Sequence, residues 1–226
     1  MLLSLENSPK IIRSDRRTIA LEIQSDGCVI IRAPKHIHHS YIQKLLNEKQ
    51  DWILEKQKII AERQTKVLSK QYVQDEDFYY LGKKYKLDIV DNYSKTIEFN
   101  NGFKVFAQDK ESVKILILSW YKKQAKKIIP SSVFQIAESN NLTFNNVKIT
   151  SAEKRWGSCT SKKTLNFSWR IIMLPAEIIE YIIIHELAHL KELNHSRSFW
   201  REVEYMMSDY KQKNRWLKNN SYKFKL

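Results

Sequence analysis

"PAEIIEYIIIHELAHLKELNH", residues Pro175–His195, is the stretch on which the reading of this chain turns. Ile178, Ile179, Ile182, Ile183 and Ile184 spread apolar surface almost all round a helix, which predicts a buried helix rather than a surface one. Pro175 suits its first turn. His185 and His189 stand one helical turn apart on one face, so both imidazoles can reach a common point. Glu186 is offset from His185 by about 100°, so it can flank that point without joining it. His195 follows six residues after His189, beyond the expected helix end, with Asn194 as the expected cap that turns the chain back. Three histidines with a fourth position left open form the donor set of catalytic zinc, and Glu186 is placed to take a proton from a water at that site. A polar helix with incidental histidines is the competing reading. The buried helix and the nearby third histidine weigh against it.

A third histidine at this spacing also occurs in metzincins. Those enzymes place glycine three residues after the second histidine, where the chain bends sharply, and this chain has Glu192 there. Should His195 not be the third ligand, Glu202 or Glu204 of the following helix would be the next candidates. Cys159 is not counted as a ligand, because three histidines suffice.

Segments outside the opening stretch carry a family resemblance. "RWGSC" (Arg155–Cys159), "LNFSWRIIMLP" (Leu165–Pro175), "YIIIHELAHL" (Tyr181–Leu190) and "NHSRSFW" (Asn194–Trp200) together resemble the YgjP-type metallopeptidase domain, a zincin-like group similar to the SprT and WLM families. The resemblance is specific from Arg155 to Trp200 and looser in the N-terminal half. It implies a zinc metallopeptidase acting on a peptide or protein substrate, with His185, His189 and His195 as zinc ligands and Glu186 as general base. It also implies a substrate groove along Arg155, Trp156, Gly157 and Ser158, where an extended peptide would pair with an edge strand. SprT- and WLM-like relatives suggest an alternative, a nucleic-acid-associated zinc protein or a protease acting on DNA-linked protein.

The residues themselves suggest supporting roles. Ser196 is an expected N-cap, and Phe199 and Trp200 in the first turn behind it would lock the last helix against the histidine helix. Arg155 has two open readings, an oxyanion stabiliser or a surface ion-pair partner beside a core Trp156 and Cys159.

Upstream, "TIALEIQ" and "CVIIRAP" around Ser25-Asp26-Gly27 predict a hairpin ending at Pro34. "HIHHSYIQKLLNEKQDWILEKQKIIAERQ" predicts one long helix, with His36, His38 and His39 as surface residues at its start. "FYYLGKKYKLDIV", "KTIEFN" and "FKVFA" read as strands, the last two joined at Asn100-Asn101-Gly102. "ESVKILILSWYKKQAKKII" predicts a helix closed by Pro130, and "SSVFQIAESNN" a second one. "NVKITSAEKRWGSC" and "TLNFSWRIIM" read as two strands, and a final helix is expected over Ser196–Ser208. The expected fold is α+β: a β-rich N-terminal region with one long helix over 10–110, and a zincin-like helical core with a small antiparallel or mixed sheet over 111–226, the two packed as one unit.

The chain has 226 residues and a net charge of +14. Such charge favours anionic partners, nucleic acid among them, although a solvated lysine-rich surface is the preferred reading. Lys122, Lys123, Lys126 and Lys127 cluster, and the tail carries Lys211, Lys213, Arg215, Lys218, Lys223 and Lys225 among Trp216, Tyr222 and Phe224. Those aromatics could stack on bases, but anchoring of the tail to the domain is the preferred reading. Two distant cysteines make no disulfide framework, "MLLSLENSPK" lacks a secretory signal pattern, and no apolar run suits a membrane span. A cytoplasmic protein without a membrane partner is expected.

Overall fold

In a computed structural model, residues 9–24, 26–66, 70–91, 94, 96–224 and 226 are described. Ser25, Lys95, Lys225 and residues 1–8, all used in the sequence reading, lie outside the described residues. By internal contacts the chain divides into two units, Met1–Leu68 and Ser69–Leu226.

In the first unit, strand β1 (Lys10–Ser14) runs parallel to β3 (Val29–Pro34), and β2 (Ala20–Ile23) pairs antiparallel with β3 on its other side. The β2–β3 hairpin was legible; β1, a short mixed-polarity strand, was not. Ile31 and Ala33 of the central strand are buried with Ile42. The long helix expected here is two helices, α1 (His39–Glu48) and α2 (Gln50–Lys66). Lys49 leaves helical dihedrals between them, at φ −103° and ψ 8°. The apolar spacing gives no hint of this break, because Ile42 and Ile53 are 11 residues apart and would share one face of a continuous helix. His38 caps α1, its ring accepting from the Ser40 amide at 3.3 Å.

The second unit opens with β4 (Asp77–Tyr80), β5 (Lys83–Val90), β6 (Thr96–Phe99) and β7 (Phe103–Phe106), in sheet order β4-β5-β7-β6. "FYYLGKKYKLDIV" is therefore two strands. Leu81 (φ 48°) and Gly82 (φ 80°) make the tight turn between them. Helix α3 (Lys110–Ser139) follows without interruption through Pro130, against the expectation of two helices. Apart from Trp120, its buried residues Val113, Ile117, Tyr121, Ala125, Ile129, Val133 and Ala137 recur every four positions. Each such step turns about 40°, so the buried stripe winds about 240° round the helix. Packing on both sides of Pro130 outweighs the roughly 3 kcal/mol that a proline costs inside a helix. Trp120 and Tyr121 meet Phe103 of β7 at ring distances of 4.8 and 5.7 Å. The expected boundary near residue 110 thus falls inside the second unit, because the strands before it and the helix after it bury one core.

A second sheet carries β8 (Asn146–Thr150), β9 (Gly157–Cys159) and β10 (Thr164–Ser168), with β10 central, parallel to β8 and antiparallel to β9. "NVKITSAEKRWGSC" is thus two strands and a loop, since its charged middle has nothing to bury. "WRIIM" is a 3₁₀ turn (Trp169–Met173) rather than strand. Helices α4 (Ala176–Ala188), α5 (Arg197–Met206) and α6 (Tyr210–Asn220) complete the α+β fold. Helix α6 lies where only a tail was expected; its mean polarity hides the few apolar contacts it makes. Phe224 behind it is buried against Tyr79 (4.7 Å) and Trp216 (5.8 Å), as the anchoring reading requires. No described helix is long and apolar enough to cross a membrane.

Candidate metal centre

The site is built on α4. The turn between β4 and β5 holds the start of this helix: the Leu81 and Gly82 amides donate to the Ile172 and Met173 carbonyls at 2.9 and 3.0 Å. A Cβ at Gly82 would lie 2.8 Å from Cα of Pro175, so only glycine allows that approach. Exposed at Glu177 and Glu180, α4 is buried through its apolar residues from Tyr181 to Ile184, and its last turn delivers His185, Glu186 and, at the C-cap, His189.

The structure brings His185, His189 and His195 together, with one nitrogen from each within 4.8 Å of the others. Nε2 of His185 and Nε2 of His195 are 3.0 Å apart. Tetrahedral zinc at its usual Zn–N distances spaces its nitrogens by about 3.3 Å, so the cluster is the right size for such an ion. Nδ1 of His189 lies 2.9 Å from the carbonyl oxygen of Glu192. Helix α4 ends at His189, with the Leu190, Lys191 and Glu192 amides bonding back to Leu187 and Ala188. The expected cap at Asn194 is therefore not used, because these earlier amides already close the helix. Glu192 has no positive φ, so this turn does not need the metzincin glycine.

Phe199 is fully buried beneath the three imidazoles, at ring distances of 4.9, 4.4 and 4.7 Å from His185, His189 and His195. Trp200 lies 5.8 Å from His195 and stacks on Tyr210. Ser196 caps α5, accepting from the Phe199 amide at 3.3 Å. Glu202 and Glu204 are held elsewhere, by Lys191 at 2.7 Å and Lys211 at 3.4 Å.

Glu186 is buried, and its Oε2 has no hydrogen-bond partner. Burial pushes its carboxyl up to about 8, against the opposing pull of the Arg155 charge. Burial also lowers His185 to about 4, helped by the neighbouring His189 and His195. His189 is lowered by burial too. These imidazoles therefore keep neutral nitrogens at pH 7.

β9 is an edge strand packed on α4. Arg155 is exposed at its entrance, while Trp156, Gly157, Ser158 and Cys159 are half-buried. Burial raises the Cys159 thiol. One contributor had no legible signal: the Glu192 carbonyl, since backbone acceptors leave no trace in sequence.

No curated protein matches the chain. Among solved structures it is similar to the metallopeptidase zymogen of Pyrococcus abyssi abylysin, with 26% identity over 40% of this chain and 93% of that one and a TM-score of 0.36. It is likewise similar to the metallopeptidase zymogen of Methanocaldococcus jannaschii jannalysin, with 26% identity over 39% and 94% and a TM-score of 0.34. The family model of the YgjP-like metallopeptidase domain matches residues 17–220. A histidine cluster built on the end of α4 and the loop after it, beside a buried glutamate, thus sits in a chain that belongs to the YgjP-like metallopeptidase domain family.

Proposed function

We propose that this metallopeptidase is zinc-dependent, with His185, His189 and His195 as the ligands and Glu186 as the general base. The observation that carries the reading is the convergence of three imidazoles beside a buried carboxyl whose Oε2 no protein group satisfies. The donor set fits zinc: three imidazole nitrogens and no thiolate or fourth protein ligand among the described residues leave a position for substrate. When bound, zinc supplies Lewis acidity toward water and toward the scissile carbonyl.

The chain's own residues do the rest. The Glu192 carbonyl fixes the tautomer of His189, and Phe199 holds the three rings at their mutual angles. Glu186 accepts a proton from the attacking water and returns it to the leaving nitrogen. In the metal-free chain burial raises this carboxyl to about 8; a cation held by the histidines would favour the ionised form, the one that accepts a proton. The open side of β9 is the natural place for an extended peptide to pair, with Arg155 at its entrance to meet developing negative charge.

Glu186→Gln tests the mechanism. Zinc content should stay at the wild-type level while hydrolysis of casein or a peptide library falls by about 10²–10⁴-fold. Undiminished hydrolysis would remove Glu186 from the reaction.

A further inference from the structure

Gly157 of β9 lies directly against Glu186. A Cβ there would be 2.6 Å from both Cγ and Oε1 of Glu186 and 2.8 Å from Cδ. Its φ is not in the left-handed region, so the close approach, not backbone freedom, demands glycine. The segment leading into it is fastened at both ends to one residue. Ser168 donates from Oγ to the Ala152 carbonyl at 2.7 Å and from its amide to the Trp156 carbonyl at 2.8 Å. Ser168 and Glu186 are the two buried polar or charged residues among those described. Arg170 adds a bond to the Ser151 carbonyl and an ion pair with Glu153, each at 3.0 Å.

We propose that the 152–157 segment is a rigid wall that aims the Glu186 carboxyl, with Gly157 as the positioning residue that touches it and Ser168 as the positioning residue that holds the wall in place. This rests on Glu186 being the general base. A buried carboxyl with an unsatisfied oxygen has several rotamers open to it. The backbone at Gly157 removes those that would swing toward β9. Any side chain at 157 would push the carboxyl out of line. Ser168 matters because the wall is a loop: its hydroxyl is the donor that fixes the Ala152 carbonyl, and Ser168→Ala removes that bond while keeping the amide bond to Trp156.

The test uses the full-length zinc-loaded protein, a quenched-fluorescence peptide mixture and casein. Gly157→Ala should lower kcat by about 100-fold with KM and zinc stoichiometry unchanged, the scale expected for a misplacement of about 1 Å. Ser168→Ala should lower kcat by about tenfold in the same manner. Glu186→Asp, one methylene shorter, relieves the new contact, so its added loss in the Gly157→Ala background should be smaller than in wild type. Strict additivity, or a change confined to KM, overturns the proposal. If Gly157→Ala does not fold, as a melting curve would show, Ser168→Ala decides the matter alone. An inactive Glu186→Gln beside fully active Gly157→Ala and Ser168→Ala overturns the positioning roles only. Equal rates for wild type and Glu186→Gln overturn both these roles and the base on which they rest.

Discussion

Nδ1 of His189 lies 2.9 Å from the carbonyl oxygen of Glu192, three residues on. The contact closes the turn after α4 and commits Nδ1–H to the backbone, leaving Nε2 as the ring's free donor atom. An imidazole oriented by its own chain before any ion arrives would lose little freedom on binding one.

Metal binding should therefore register as stability. Treatment with a chelator is expected to lower Tm by about 5–10 °C, and added zinc to restore it. Differential scanning calorimetry checks this; an unchanged Tm after verified zinc removal would count against the site.

The third ligand can be assigned by stoichiometry. His195→Ala should reduce zinc content, while Glu202→Ala and Glu204→Ala should keep the wild-type value, since Lys191 and Lys211 already hold those carboxylates. Loss of zinc in either glutamate variant would reassign the ligand. Stability should move by less than about 1 kcal/mol in those two, because both pairs are partly exposed.

Glu186 should give the metal-free protein a distinctive pH dependence. Its carboxyl titrates near 4.5 when unfolded and at about 8 when folded. Between those values the folded chain keeps a proton that the unfolded chain has released, so stability falls as pH rises through the window. Glu186→Gln lacks this loss. It should match wild type below pH 4.5 and exceed it above pH 8 by on the order of a few kcal/mol. His185 acts oppositely as pH falls below 6.5 toward 4, but it does so in both proteins. Urea denaturation across this range checks the difference, and a pH-independent offset would refute it.

Phe199 is fully buried beneath all three imidazoles. Phe199→Ala should cost about 3–5 kcal/mol and also weaken zinc retention, because the cavity lets the rings rotate. Phe199→Leu should recover most of both. Normal zinc affinity in Phe199→Ala, measured by competition with a chromophoric chelator, would show that the rings are oriented by other contacts.

Much of the site was legible because it is local. His185, Glu186 and His189 share one helix, and helical geometry alone places them. Ser196 announced its helix by its residue type. The misread elements were those decided by partners. Pro130 stays inside α3 because buried residues continue on both sides of it. Lys49 breaks a helix whose apolar period does not change. The run from Asn146 to Cys159 is cut in two because its charged middle follows a loop fastened by Ser168.

Sequence by itself determined the buried helix, its paired histidines, the adjacent glutamate and the α+β class, all of which follow from residue types at short, regular spacing. Only the tertiary structure decided that Gly157 abuts Glu186, that the Glu192 carbonyl meets His189, and that Phe199 underlies three rings at once. Those relationships join residues far apart in sequence or use backbone atoms, and neither leaves a periodic mark on the chain.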